Sequence, residues 1–359
     1  MTHSTLFTRV RMGRLELPNR LVMAPLTRLR SGVDGVPDEV VVEHYRQRAS
    51  MGLIVTEGTW PVQEGRTWFG QPGIETPEQV TGWRRVADAV HAAGGRIAMQ
   101  VMHGGRVSHP EVTGTGRIIS ASATATPGLV RVISGKVPAP VAHALSGEEI
   151  PQVVAQYVAA AERAVEAGMD AVELHGANGY LIHQFFSPAS NHRTDAWGGT
   201  PARRARFAID VTRAVAEAIG PDRTGIRLSP EHVVQGMDET AAEATFETYA
   251  TFAEAVAPLG LAFIDILHAD PAGALVQGIR RLSKAPIIAN TGFARPTTRQ
   301  EARWIVEEDL AEAVGVGRAA IANPDLVRRW RDDLPENAPD PLTFYDGGPH
   351  GYIDYPTLD

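Results

Sequence analysis

The sequence predicts an α/β fold of the (β/α)8 TIM-barrel type, and three observations carry that prediction. Eight short apolar, β-branched runs alternate with helical patterns, which implies a parallel sheet with helical crossovers. The chain has 359 residues and 43% hydrophobic composition, enough to close eight such units around one core. The runner-up, an open doubly wound sheet, calls for a G-x-G-x-x-G turn after its first strand, and the first βα turn here has none.

Ahead of the repeats, FTRVRMGRLELPNR reads as a small N-terminal β-hairpin placed to close the barrel floor. Strands are expected at residues 20–24, 53–57, 96–101, 171–175, 225–228, 263–267, 286–290 and 313–316. Helices are expected at 38–49, 77–93, 148–167, 202–219, 241–257, 274–281, 297–308 and 324–331. The second helix carries the clearest start signal: Thr76 caps it, Pro77 takes its first position and Gln79 completes a capping box. Residues 103–146, after the third strand, are too many for a simple connection and are expected to form a long active-site loop. Residues 333–359, rich in Pro, Gly and Asp, are expected to be an irregular tail. Residues 1–359 read as a single domain.

Bulk properties narrow the function. The net charge of −8 leaves no basic footprint for nucleic acid, and Arg203, Arg204 and Arg206 read as the solvated face of a helix. MTHSTLFTRV has no charged segment ahead of an apolar stretch, so no secretory leader is expected. No apolar run approaches the roughly 20 residues of a membrane span. A cytoplasmic monomer or homodimer with no membrane or nucleic-acid partner is the expectation. The chain has no cysteine, which excludes disulfides, iron–sulphur clusters, thiolate zinc sites and cysteine nucleophiles.

In a barrel of this kind the chemistry collects at the C-terminal strand ends. Pro25, Leu26 and Thr27 stand after the first expected strand, and Gly58 and Thr59 after the second. Gln100 and His103 mark the third, His175, Asn178 and Tyr180 the fourth, Arg227 the fifth and His268 the sixth. Gly292 follows the seventh and Gly317–Arg318 the eighth. These are hydrogen-bond donors with one fixed cation and no carboxylate cluster. No metal site is expected, and a flat, polar-edged, anionic ligand is favoured. The loops ANTGFARP and GVGRAAIANPDL hold the positions where barrels bind phosphate, with Gly292, Gly315 and Gly317 allowing close backbone approach and Arg318 supplying charge. The alternative is that the glycines only make turns and Arg318 lies on the surface.

With these residues assembled, the chain resembles the old yellow enzyme family of FMN-dependent ene reductases. The likeness runs through LPNRLVMAPLTRLRS, YRQRASMGLIVTEGT, HGANGYLIHQFFSPASNHRTDAWGG, GIRLSP, GRAAIANPDLVRR and GGPHGYIDYP, in the family's order. The resemblance implies non-covalent FMN, reduced by NADPH or NADH, and a small substrate with an activated alkene. By the same resemblance Thr27 matches the residue at the flavin C4 carbonyl, in the family's threonine branch. Ala24, Pro25, Leu26 and Gly58 line the ring, Gln100 meets its pyrimidine edge, and Arg227 matches the cation at N1 and the C2 carbonyl. Asn290, Gly292, Gly317 and Arg318 complete the cofactor contacts on the phosphate side. His175 and Asn178 match the pair that binds the substrate oxygen, and Tyr180 matches the proton donor. Trp68, His268 and the tail residue Tyr352 match substrate-side positions.

The chain also departs from the family at Trp68, Met102, Gly104, His143 and Trp197, and these are expected to reshape the pocket wall and lid. His183 reads as structural. His103 either approaches the flavin edge or satisfies backbone groups. Competing functions are a reductase of nitrate esters or nitroaromatics, a flavoprotein that binds a ligand with little turnover, and a flavin-free barrel isomerase or lyase acting on a sugar phosphate.

Overall fold

The computed structural model describes residues 4–292, 295–345 and 347–358. Phe293 and Ala294 of the ANTGFARP loop lie outside them. The hairpin is present as β1 (Val10–Met12) and β2 (Leu15–Leu17), paired antiparallel. Eight parallel strands follow: β3 (Leu21–Met23), β4 (Leu53–Val55), β5 (Ile97–Val101), β10 (Ala171–Gly176), β11 (Thr224–Leu228), β12 (Phe263–Leu267), β13 (Ile287–Asn290) and β14 (Ala313–Val316). They close into a barrel in chain order, with β14 returning to β3.

Each strand sorts its residues by the two-residue period of the pleat. Ile97, Met99, Val101, Val172, Leu174, Ile226, Ile264 and Ile266 belong to the layer between sheet and helices. Their neighbours Val22, Leu53, Val55, Ala98, Ala171, Phe263, Ile288 and Ala313 fill the barrel interior. Met12, Leu15 and Leu17 join that inner cluster from the hairpin, and the Arg14 N–H donates to the Asp222 carbonyl at 3.0 Å. The expected floor plug is therefore in place.

The outer layer holds α1 (Glu39–Gln47), α2 (Pro77–Ala92), α4 (Ile150–Glu166), α6 (Pro201–Ile219), α7 (Ala242–Val256), α8 (Ala274–Ser283), α9 (Arg299–Glu307) and α11 (Leu326–Asp332). The capping box of α2 is made in both directions, Thr76 accepting from the Gln79 N–H and Gln79 from the Thr76 N–H. Three short helices were not expected: α3 (Pro110–Thr113), α5 (Leu181–Phe186) and α10 (Arg318–Ala322). The long segment after β5 is more than a loop. It pairs β6 (Ile119–Ser120) with β9 (His143–Ala144) and folds β7 (Leu129–Val132) onto β8 (Gly135–Pro138) as a hairpin. The basic run on α6 needs one correction. Arg204 is buried, because its guanidinium spans the Phe186 carbonyl at 2.9 Å and the Thr248 hydroxyl at 3.0 Å.

The floor plug yields a stability test. Leu15→Ala opens a cavity against the barrel interior and should lower the unfolding free energy by about 2–5 kcal/mol in a urea titration. Val33→Ala, at an exposed position, should stay within about 0.5 kcal/mol of the parent.

Candidate active site

The strand ends open into a cavity of about 750 Å³, within the usual range for small-molecule sites. Pro25, Leu26, Thr27, Gln100, His175, Asn178, Tyr180, Gly292, Gly317 and Arg318 of the strand-end reading line it, together with Trp68. A cleft of similar volume lies on the outer surface around Arg203, Arg206 and Asp210, but it takes in none of these residues.

The turn from β10 into α5 carries the most reactive set. His175 and Glu173 share the inward face of β10. After His175 the chain turns through Asn178, at φ 55°, and Gly179, at φ 81°. Asparagine tolerates this left-handed region better than most residues, and here its N–H is also bound by Ser229 Oγ at 2.8 Å. Gly179 has no alternative. A Cβ there would lie 2.8 Å from the Gln235 Cβ and 3.0 Å from the Val234 carbonyl oxygen. The turn places the His175 and Tyr180 rings edge to face at 4.8 Å, with Trp68 against the far side of Tyr180 at 6.1 Å.

Protonation follows from this packing. The Ala177 N–H donates to His175 Nδ1 at 3.3 Å, so the ring proton sits on Nε2. Burial, reinforced by Arg227, holds the His175 pKa well below its ordinary value, so the ring is a neutral N–H donor. Burial pushes the Tyr180 hydroxyl upward, while the Gln235 amide beside it works in the opposite direction. Tyr180 therefore keeps its proton at any ordinary pH.

Beneath the mouth lies a buried polar layer. Gln100 Nε2 donates to Glu173 Oε1 at 2.8 Å, and Arg227 Nη1 donates to Asp265 Oδ2 at 2.7 Å. Register sets Arg227 between His175 and Asp265 on the neighbouring strands. Arg227 Nε, Asn178 Oδ1, Glu173 Oε2 and Asp265 Oδ1 are buried without a protein partner. Glu173 and Asp265, in register with Gln100 and Arg227, are two acids that the strand-end reading did not include.

At the opposite corner Gly317 precedes α10 with φ −95°. A side chain there would meet only Leu26, at 3.4 Å, so protein packing does not demand glycine. What the glycine preserves is open access to the backbone beside Arg318. Gly292 differs: a Cβ would crowd the Arg295 carbonyl oxygen at 2.8 Å, so its own loop requires it.

Several expected residues lie elsewhere. Tyr352 is fully buried behind the barrel wall, where it stacks on His44 at 3.9 Å and Arg28 and Arg30 lie over its ring. Phe344 and Tyr345 of the same tail line the cavity instead. His268 is drawn aside by Glu231, with Nε2 and Oε2 3.2 Å apart. Gly58 gives room to Met102, whose Sδ would sit 2.6 Å from a Cβ at that position. Ala24, Asn290 and Arg227 are buried in the barrel and are not among the residues that line the cavity.

Of the departures, Trp68 and Met102 are wall residues, and Gly104 leaves space for Thr67. Trp197 instead bonds Asp210 beside α6, and His143 pairs with Glu149. His183 is buried against Glu239 and Tyr249, as a structural residue would be. His103 Nδ1 accepts from the Gly105 N–H and burial lowers its pKa to about 3, which fits the backbone role. The sequence reading missed Gln235, at φ 57°, and the lid pair Arg131 and Lys136. The only local sign of Gln235 was the glycine that follows it.

The donor set fits FMN. Buried donors at Gln100 and Arg227 suit a pyrimidine edge, and the open backbone at Gly317 beside Arg318 suits a phosphate. Fold and mouth together define a (β/α)8 barrel with a site suited to a flat, anionic ligand. The NADH:flavin oxidoreductase / NADH oxidase family matches residues 5–337, and the chain belongs to it. It is 42% identical over 357 residues to a probable flavin mononucleotide-dependent alkene reductase of Leishmania infantum, spanning 97% of this chain and 96% of that protein. The old yellow enzyme homologue from Zymomonas mobilis superposes with a TM-score of 0.93 at 39% identity, covering 99% of this chain and 100% of that one. Morphinone reductase in complex with tetrahydroNAD superposes with a TM-score of 0.92 at 40% identity, covering 99% and 98%. The protein is thus an FMN-dependent flavin oxidoreductase of the old yellow enzyme type that takes its electrons from a reduced nicotinamide.

The neutral state of His175 can be checked by nitrogen NMR of the ring. It should remain protonated on Nε2 alone at a pH below about 6.5, where an unperturbed histidine is mostly charged. The unfolded chain takes up that proton near pH 6.5 and the folded chain does not. The stability tied to this ring is therefore present above about pH 6.5 and is lost as the pH falls below it. A ring that titrates near pH 6.5 in the folded protein would remove the assignment.

Proposed function

We propose that the protein reduces the C=C bond of α,β-unsaturated carbonyl or nitro compounds at the expense of NAD(P)H, with both ligands using the cavity in turn. The observation that carries this reading is the tight turn that aims His175, Asn178 and Tyr180 into one cavity above the buried polar layer. When bound and reduced, FMN supplies the hydride that an activated alkene accepts at its β-carbon.

Gln100 and Arg227 hold the pyrimidine edge. The Arg227 guanidinium favours an electron-rich ring. Gly317 and Arg318 hold the phosphate, and Thr27 donates at the C4 carbonyl. As the β-carbon is reduced, negative charge gathers on the carbonyl or nitro oxygen. His175 Nε2–H and the Asn178 amide are two donors fixed before the substrate arrives, which is how an oxyanion hole works. Tyr180 then delivers its proton to the α-carbon as a general acid. The Gln235 amide beside the hydroxyl steadies the phenolate that is left. Trp68, Met102, Phe344 and Tyr345 exclude water and set the apolar wall.

Half-reactions measured anaerobically by stopped flow test these assignments. Tyr180→Phe should slow alkene reduction by about 10²–10⁴-fold while flavin reduction by NADPH changes little. Equal loss in both half-reactions would remove the acid role. Asn178→Ala should cost about 10²–10³-fold in the alkene half-reaction, and an unchanged rate would remove it from the oxygen-binding pair.

A further inference from the structure

We propose that Glu173 is a positioning residue of the flavin site: it carries a proton beneath the pyrimidine end of the ring, and that proton sets the cofactor's reduction potential. The inference rests on the reading that the pyrimidine edge lies over Gln100 and Arg227.

Glu173 has no role in the chemistry derived above, yet it is fully buried and points into the barrel. β5 presents Gln100 to it, β11 presents Arg227, β12 presents Asp265, and its own strand adds the neutral ring of His175. Gly225 stands opposite on β11 with no side chain, and Val55, Ala98, Ala171 and Phe263 make the rest of the interior apolar. Two carboxyl groups therefore share one guanidinium in a dry space. If both were ionised, one negative charge would be uncompensated, and such sites avoid that by keeping a proton. Asp265 accepts directly from Arg227 Nη1, whereas Glu173 accepts only from a neutral amide and its second oxygen has no donor. The proton therefore falls to Glu173. Burial first, then the Asp265 charge, raises its pKa to about 8, against the pull of Arg227 and Gln100.

With Glu173 protonated, Arg227 and Asp265 cancel and the layer is neutral. Without that proton the layer is negative and opposes the extra electrons on the ring, so the potential falls. The linkage is reciprocal. Reduction by NAD(P)H brings in two electrons and one proton as hydride. Once the pH has stripped Glu173, reduction also draws one proton from water onto its carboxylate.

The test compares the holoenzyme with Glu173→Gln, which is isosteric with the protonated acid. The FMN midpoint potential is followed by redox titration from neutral to alkaline pH, and the carbonyl stretch of a buried protonated carboxyl is followed by infrared spectroscopy. The wild-type potential should fall more steeply where Glu173 titrates, and the carboxyl band should vanish over the same interval. Glu173→Gln should lack both the steeper segment and the band, and should continue the wild type's neutral-pH line. Parallel potential lines in the two proteins, or no carboxyl band in the wild type at neutral pH, would overturn the proposal. If Glu173→Gln does not retain flavin, the wild-type infrared titration decides alone: a band lost as the potential steepens supports it, and a missing or pH-insensitive band overturns it. A wild-type protein that shows the band but binds no FMN would sink the flavin placement instead.

Discussion

The arrangement depends on one constraint: a closed parallel barrel points every second residue of each strand into a narrow interior. The chain spends the lower inward positions on Val22, Leu53, Val55, Ala98, Phe263 and Ile288, sealed from below by the hairpin. It spends the next inward positions on Gln100, Glu173, Arg227 and Asp265, which form two pairs with one hydrogen bond each. The apolar tier and the plug keep water from that polar tier, which raises the cost of its charges, and the Gln100–Glu173 and Arg227–Asp265 pairs offset part of it. Its incomplete pairing, with several buried polar atoms lacking partners, is what a site waiting for a polar-edged ring would have.

Above that tier the reactive groups owe their positions to the left-handed turn at Asn178 and Gly179. A turn with two successive left-handed residues is uncommon, and it is held by the Ser229 hydroxyl below and by the packing of Gln235 beside Gly179. It brings a neutral imidazole, an amide and a phenol within one small patch. Burial is the main cause that keeps the imidazole and the phenol uncharged, and the amide carries no charge at any pH. The electrostatic tuning belongs to the tier beneath them.

Most of the fold was legible in the sequence because its signals are local and repeat: eight apolar runs, eight helical patterns, and a capping box at Thr76 that forms as expected. Residues at a strand end or a few positions beyond it, such as His175, Arg318 and Thr27, are equally legible, because closure of the barrel gathers those positions at one mouth. What failed depends on long-range chain paths that leave no period. Tyr352 was placed at the substrate and instead stacks on His44, while Phe344 and Tyr345, a few residues earlier, reach the cavity. The lid segment shows only weak alternation over two to four residues, too little to reveal two small sheets. Glu173 and Asp265 were readable in principle, since each is an acidic residue at an inward position of an otherwise apolar strand.

The account stands or falls on where the flavin lies, and a crystal structure of the protein with FMN bound tests that most directly. The account predicts the phosphate at Gly317 and Arg318, the pyrimidine edge on Gln100 and Arg227, and one ring face open to His175, Asn178 and Tyr180. A flavin bound with its pyrimidine edge turned away from Arg227, or with Tyr180 on the opposite side from the substrate cavity, would contradict it.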